Sequence, residues 1–149
     1  MILCCGEALI DMIPTPTQTG RDGFVPHAGG AVFNTSIALG RLGVPAGFFS
    51  GLSNDLFGER LADALSASKV DASFAARSDR PTTLAFVTLK DGHASYAFYD
   101  ENTAGRMLSD ADLPTLAETT QALFFGGISL VVEPCAAAYE ALMAREAKA

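Results

Sequence analysis

The stretch Gly29-Gly30-Ala31-Val32-Phe33-Asn34-Thr35-Ser36-Ile37-Ala38-Leu39-Gly40-Arg41-Leu42-Gly43, followed by Val44-Pro45 and the apolar run Ala46 to Ser50, carries the reading of the fold. Val32, Phe33, Ile37, Leu39 and Leu42 recur at roughly helical spacing, and Gly43 stands where a C-terminal cap belongs, with Pro45 just beyond. The spacing predicts a helix that opens behind paired glycines, closes at Gly43 and hands the chain to a buried strand over 46–50. Upstream, Ile2-Leu3-Cys4-Cys5 is a short apolar run stopped by Gly6, the pattern of a buried strand in a parallel sheet. Downstream, Phe57 to Ser68 reads as a second helix with Leu61 and Leu65 one turn apart. Strand, helix, strand, helix in this rhythm predicts an α/β fold with a doubly wound, mostly parallel sheet.

The middle of the chain changes period. Thr82 to Leu89 and His93 to Tyr99 are rich in β-branched and aromatic residues, and Lys90-Asp91-Gly92 between them reads as a turn, so a hairpin is expected. Apolar side chains occupy both of its faces, with Leu84, Phe86, Tyr96 and Phe98 on alternate positions beside Val87, Leu89 and Tyr99. Such a hairpin needs cover on both sides from a ligand, a domain or a second subunit. It reads as a small β lid, together with the Pro- and Gly-punctuated segment 14–27. Ser109 with Asp112 resembles a capping box and predicts a helix to about Thr119. Ala122 to Phe125 reads as a third buried strand, and Pro134 opens an Ala-rich helix toward Ala149. A crossover helix in a parallel sheet normally leads to another strand, so the chain reads as the amino-terminal part, residues 1–149, of one longer domain.

Composition removes several classes of function. A formal charge of −7 gives no basic surface for nucleic acid or an anionic membrane. No apolar run approaches the ~20 residues of a membrane span, and Glu7 and Asp11 arrive too early for a signal peptide, so a soluble cytoplasmic protein is expected. Cys4, Cys5 and Cys135 are odd in number and without zinc spacing, and read as reduced core residues. With His27 and His93 as the whole histidine content, a histidine-based metal cluster is not expected. There is no G-x-x-x-x-G-K-[ST], no G-x-G-x-x-G after the first strand and no G-x-S-x-G.

Two segments can carry chemistry. Asp11 follows the first strand, where open α/β sheets bind ligands, and its carboxylate can accept hydrogen bonds from two neighbouring hydroxyls of a sugar diol. On spacing alone it can equally be a helix cap or a solvated loop residue. Gly29 and Gly30 let backbone approach a ligand, the helix behind them offers amides, and Asn34 one turn on offers a donor and an acceptor. A tight turn before an amphipathic helix is the competing reading.

Taken together, Gly6-Glu7-Ala8-Leu9-Ile10-Asp11, the Gly29–Gly43 stretch, Gly51 to Gly58 and the hairpin ending Tyr96-Ala97-Phe98-Tyr99 resemble the ribokinase-like (PfkB) carbohydrate kinases, in the same order and over nearly the whole chain. Phe48 to Gly58 and Asn102-Thr103-Ala104-Gly105 look most like bacterial fructokinases. The resemblance implies an ATP- and Mg²⁺-dependent transfer of the γ-phosphoryl group to a sugar hydroxymethyl group. Asp11, Gly29, Gly30 and Asn34 would bind sugar hydroxyls, Phe98 would contact the sugar face, and the lid would exclude water or pair in a homodimer. Family members run to roughly 300 residues, one large core. Their carboxyl-terminal half holds the Gly-Ala-Gly-Asp motif with the general base, so no catalytic residue is expected in this chain and these residues alone should phosphorylate nothing. Val32 stands where many members have Pro, Ser53 where Gly is common, and Asp100 where Arg is frequent. The last departure leaves a keto-deoxy sugar acid, ribose or a nucleoside as alternative acceptors, and a half-length sugar-binding or dimerisation module as the non-catalytic alternative.

Overall fold

The computed structural model describes residues 1–90 and 93–147. Four parallel strands form the central sheet: β1 (Ile2–Cys5), β4 (Ala46–Phe49), β6 (Val70–Asp71) and β10 (Ala122–Phe125), in the order β10-β1-β4-β6. Successive strand residues point to opposite faces, and the core divides accordingly. Cys4 and Phe48 face one way with Val32, Phe33 and Ile37 of α1 (Ala31–Arg41) and Leu61 and Leu65 of α2 (Leu56–Ala67). Leu3, Cys5 and Phe49 face the other way, against Leu108 and against Cys135, Tyr139 and Leu142 of α3 (Cys135–Glu146). Helices on both faces of a parallel sheet make the doubly wound architecture that the alternating pattern predicts. Burying a Leu or Phe side chain in these layers contributes about 1.5–3 kcal/mol each. No described helix is long and apolar enough to cross a membrane.

A second four-stranded sheet stands apart, in the order β3-β2-β8-β9, built from β2 (Leu9–Pro14), β3 (Phe24–Gly29), β8 (Leu84–Lys90) and β9 (His93–Tyr99). Its outer strands run antiparallel to their neighbours, while β2 and β8 are parallel. The expected hairpin is present as β8 and β9. Its expected turn at Lys90-Asp91-Gly92 falls on positions 91–92, and the expected end of the last helix on 148–149, outside the described residues. A short parallel pair, β5 (Gly51–Ser53) with β7 (Ala76–Ser78), was not legible in the sequence pattern.

The strand expected to be buried at Ala122–Phe125 forms at the sheet edge instead and is only partly buried, with Phe124 exposed, and the helix expected after Ser109 does not form. In place of a helix from Ser109 to Thr119 there is a single 3₁₀ turn, Asp110–Asp112. The capping box is real: the Ser109 amide and hydroxyl donate to Asp112 Oδ2 at 2.9 and 2.8 Å. Pro114, however, has no amide to donate and pushes the residue before it out of the helical region. Leu113 accordingly turns extended, at φ −63° and ψ 129°, and the helix ends after one turn.

Candidate functional site

Asp11 does not hang in a loop beyond the first strand. It sits within β2, with His27 of β3 opposite on one side and Ala85 of β8 on the other. Ala85 in turn faces Phe98 of β9. His27, Asp11, Ala85 and Phe98 therefore stand in one cross-strand row, and residues in such a row project from the same face of the sheet. With strands about 4.8 Å apart, Phe98 lies roughly 10 Å from Asp11, with a small side chain between them. A carboxylate at one end and an aromatic face at the other is a spacing on the scale of a monosaccharide.

The Asp11 carboxylate lies directly over Gly29, so that a Cβ at Gly29 would collide with its Oδ2. Burial raises the Asp11 carboxyl pKa above the usual carboxylate value, and the neighbouring His27 pulls it partly back. Among the described residues no hydrogen-bond donor reaches this carboxylate. A partly desolvated carboxylate without donors is destabilised as it stands, and gains if ligand hydroxyls supply the missing hydrogen bonds.

Gly30 is the residue before α1, at φ 109°, a conformation L side chains rarely adopt, and a Cβ there would lie 2.8 Å from the Glu7 carbonyl oxygen. The α1 amides that the sequence suggests as free for a ligand are not free. Glu7 Oε1 accepts from the Ala31 amide at 2.8 Å and the Val32 amide at 3.3 Å. A carboxylate of the chain itself fills the position where an anion would otherwise sit. Asn34, one turn into α1, is exposed, and its backbone amide donates to the Gly30 carbonyl at 2.9 Å. Asp11, Gly29, Gly30 and Asn34 are thus brought together, and Phe98 joins them from across the second sheet.

Beneath Phe98 lies a cavity of about 30 Å³, bordered by Glu7, Leu9, Asp100, Arg106 and Ser129. That volume holds a water or two and not a sugar. At its rim Arg106 Nη1 donates to both Asp100 oxygens at 3.0 Å, and Arg106 Nε donates to the Glu133 carbonyl at 3.0 Å. The guanidinium is thereby committed within the protein.

Asp55 is a second residue whose importance the sequence reading missed. Its carboxylate caps α2, accepting from the Phe57 and Gly58 amides at 3.0 and 2.8 Å. It also accepts the Thr82 amide at 2.8 Å and the Thr82 hydroxyl at 2.6 Å, just ahead of β8. Burial works against its ionisation, but the hydrogen bonds from Thr82 and Gly58 outweigh it and hold the carboxyl below the usual carboxylate range. An Asp ahead of a Phe-Gly helix start signals a cap; the clasp to Thr82, 27 residues away, carries no local signal.

The three cysteines are buried and free. Burial pushes the Cys4 and Cys135 thiols up to about 11 and Cys5 up to about 12, so they are inert core groups at neutral pH. Among the described residues no three His, Cys, Asp or Glu side chains converge as metal ligands.

The sequence matches the family profile "pfkB family carbohydrate kinase" over residues 1–149. It is 60% identical over 147 residues to a fructokinase of Rhizobium leguminosarum bv. trifolii, covering 99% of this chain and 45% of that protein. It is 39% identical to Fructokinase-2 of Solanum lycopersicum, covering all of this chain and 48% of that one. The fold superposes on the crystal structure of a fructokinase from Xylella fastidiosa with bound ATP at a TM-score of 0.87 and 30% identity, covering 97% of this chain and 47% of that chain. The chain spans about half the length of the curated relatives it matches.

Proposed function

Because the chain belongs to the pfkB family of carbohydrate kinases, we propose that it supplies the sugar-binding part of a cytoplasmic, ATP- and Mg²⁺-dependent kinase that phosphorylates the hydroxymethyl group of fructose. The observation that carries this reading is the Asp11 carboxylate, partly desolvated and held over Gly29 in the row that runs from His27 to Phe98. Two adjacent sugar hydroxyls donate to Asp11. The Gly29-Gly30 backbone admits the ring closely, Asn34 hydrogen-bonds a further hydroxyl, and Phe98 covers the apolar face of the ring. The second sheet, taken as the lid, closes over the acceptor and keeps water from competing for the phosphoryl group. The ion, the nucleotide and the catalytic base are assigned to no residue of this chain.

A neutral acceptor is favoured over a sugar acid because Arg106, which borders the same cavity as Phe98, is already held by both oxygens of Asp100. The two outermost strands of the lid expose apolar residues, Phe24 and Val25 on β3 and Tyr96 and Tyr99 on β9, between 40% and 63% each, which a second copy of the lid would cover in a homodimer. Calorimetric titration of the 149-residue chain with fructose tests the sugar reading. Binding is expected for the wild type and is expected to weaken at least about tenfold in Asp11→Asn, the loss of charged hydrogen bonds to hydroxyls. No binding by a folded wild-type chain overturns it.

A further inference from the structure

Glu7 is half-buried in the short connection between β1 and β2, four residues ahead of Asp11. Its carboxylate serves two elements at once. Oε1 takes the first two amides of α1, directly behind Gly29 and Gly30. Oε2 accepts from the Ser129 hydroxyl at 3.2 Å, in the 3₁₀ turn Ile128–Leu130 that follows β10. Gly127, at φ 77°, passes so close that a Cβ there would collide with the Glu7 carboxylate. The Glu7 backbone packs against Gly30 from the other side, its carbonyl oxygen 2.8 Å from where a Cβ at Gly30 would be.

Among the described hydrogen bonds nothing else holds the Ala31 and Val32 amides, and α1 has no cap from its own Gly30. The glycine doublet leaves the helix start without a local restraint, and Glu7 supplies a distant one. From these contacts we infer that Glu7 is a positioning residue that fixes the Gly29–Gly30 loop relative to Asp11 by tying the α1 amino terminus to the Gly127–Ser129 turn. It touches no reacting atom. Its negative charge satisfies the helix start, so the loop presents its backbone to neutral hydroxyls instead of gathering anions there. The inference rests on the sugar-site reading only in its consequence for affinity; the tether itself stands on the protein's own hydrogen bonds.

The test uses the 149-residue chain and three variants, Glu7→Ala, Glu7→Gln and Ser129→Ala, with Leu142→Ala as a control that weakens the distant core layer. Amide hydrogen exchange reads the loop, and fructose titration reads its consequence. Glu7→Ala is expected to speed exchange at Ala31 and Val32 about tenfold or more and to weaken fructose by a similar factor, the effect of two amides left without an acceptor. Glu7→Gln keeps an Oε1 acceptor and is expected to restore most of both, with Ser129→Ala in between. Leu142→Ala is expected to lower the melting temperature while leaving fructose affinity and the two amides unchanged. A folded Glu7→Ala chain with wild-type exchange at these amides overturns the inference. If that variant does not fold, wild-type exchange at these amides in a folded Ser129→Ala chain overturns it instead. A wild-type chain that fails to bind fructose removes the sugar reading, while exchange at the two amides still decides the tether.

Discussion

The two helices on one face of the central sheet begin in opposite ways. At α2 the cap is local: Asp55 immediately precedes the helix and takes the Phe57 and Gly58 amides. At α1 the residue before the helix is Gly30, with no side chain, and the acceptor comes from Glu7, 24 positions upstream. The α2 arrangement fastens two parts of the fold, because the same carboxylate also holds Thr82 ahead of β8. The α1 arrangement keeps the helix start satisfied while leaving the backbone in front of it bare. A cap drawn from a distance permits a glycine doublet beside a ligand, and a cap drawn from the next residue does not.

That contrast can be broken most sharply at Asp55. Asp55→Ala removes the acceptor of four hydrogen bonds at the α2 start and Thr82, and urea unfolding should show a loss of about 2–4 kcal/mol. A loss no larger than that of an exposed substitution would mean the clasp is incidental. Gly127→Ala should cost about 1–3 kcal/mol, from its left-handed backbone and the displaced Glu7 carboxylate. If thermal melts show no change, the close approach of Gly127 to Glu7 is not maintained in solution.

Acid sharpens the comparison between Asp55 and Asp11. The folded-state pKa of Asp55 is depressed, so its stabilisation is fully present above the unfolded value near 3.8 and is lost as pH falls through the lower folded value. Asp55→Asn should therefore flatten the acid limb of the stability curve. Asp11 has the opposite sign. Its raised folded pKa means that stability available below the unfolded value is lost as pH rises through the folded one. Asp11→Asn should then hold or slightly raise the melting temperature at pH 7 and change little at pH 3, while sugar binding is lost. Such a separation of stability from binding marks a residue kept for function. A clear fall in melting temperature at pH 7 would instead make Asp11 a structural group.

Much of this was legible in the residues. The apolar runs at Ile2–Cys5, Ala46–Phe49 and Ala122–Phe125 became parallel strands, and the helical spacing behind Gly30 became α1. The expected helix after Ser109 did not form, because a satisfied capping box cannot carry a helix through Pro114. Asp11, Gly29, Gly30 and Asn34 could be singled out from their spacing and their resemblance to a family, yet their assembly could not. Asp11 reaches Gly29 through the antiparallel register of β2 and β3, and it shares a row with Phe98 only through β8.

Periodicity and turn residues by themselves determined the α/β class and most of the strands and helices, because each depends on neighbours a few residues apart. The partners of Glu7 and Asp55, the cross-strand row from His27 to Phe98 and the commitment of Arg106 to Asp100 were decided only by the tertiary structure. The longest of these contacts, Glu7 with Ser129, joins residues 122 positions apart. A carboxylate's choice among distant donors depends on which segments the packed sheets bring within about 3 Å, and no local pattern encodes that distance.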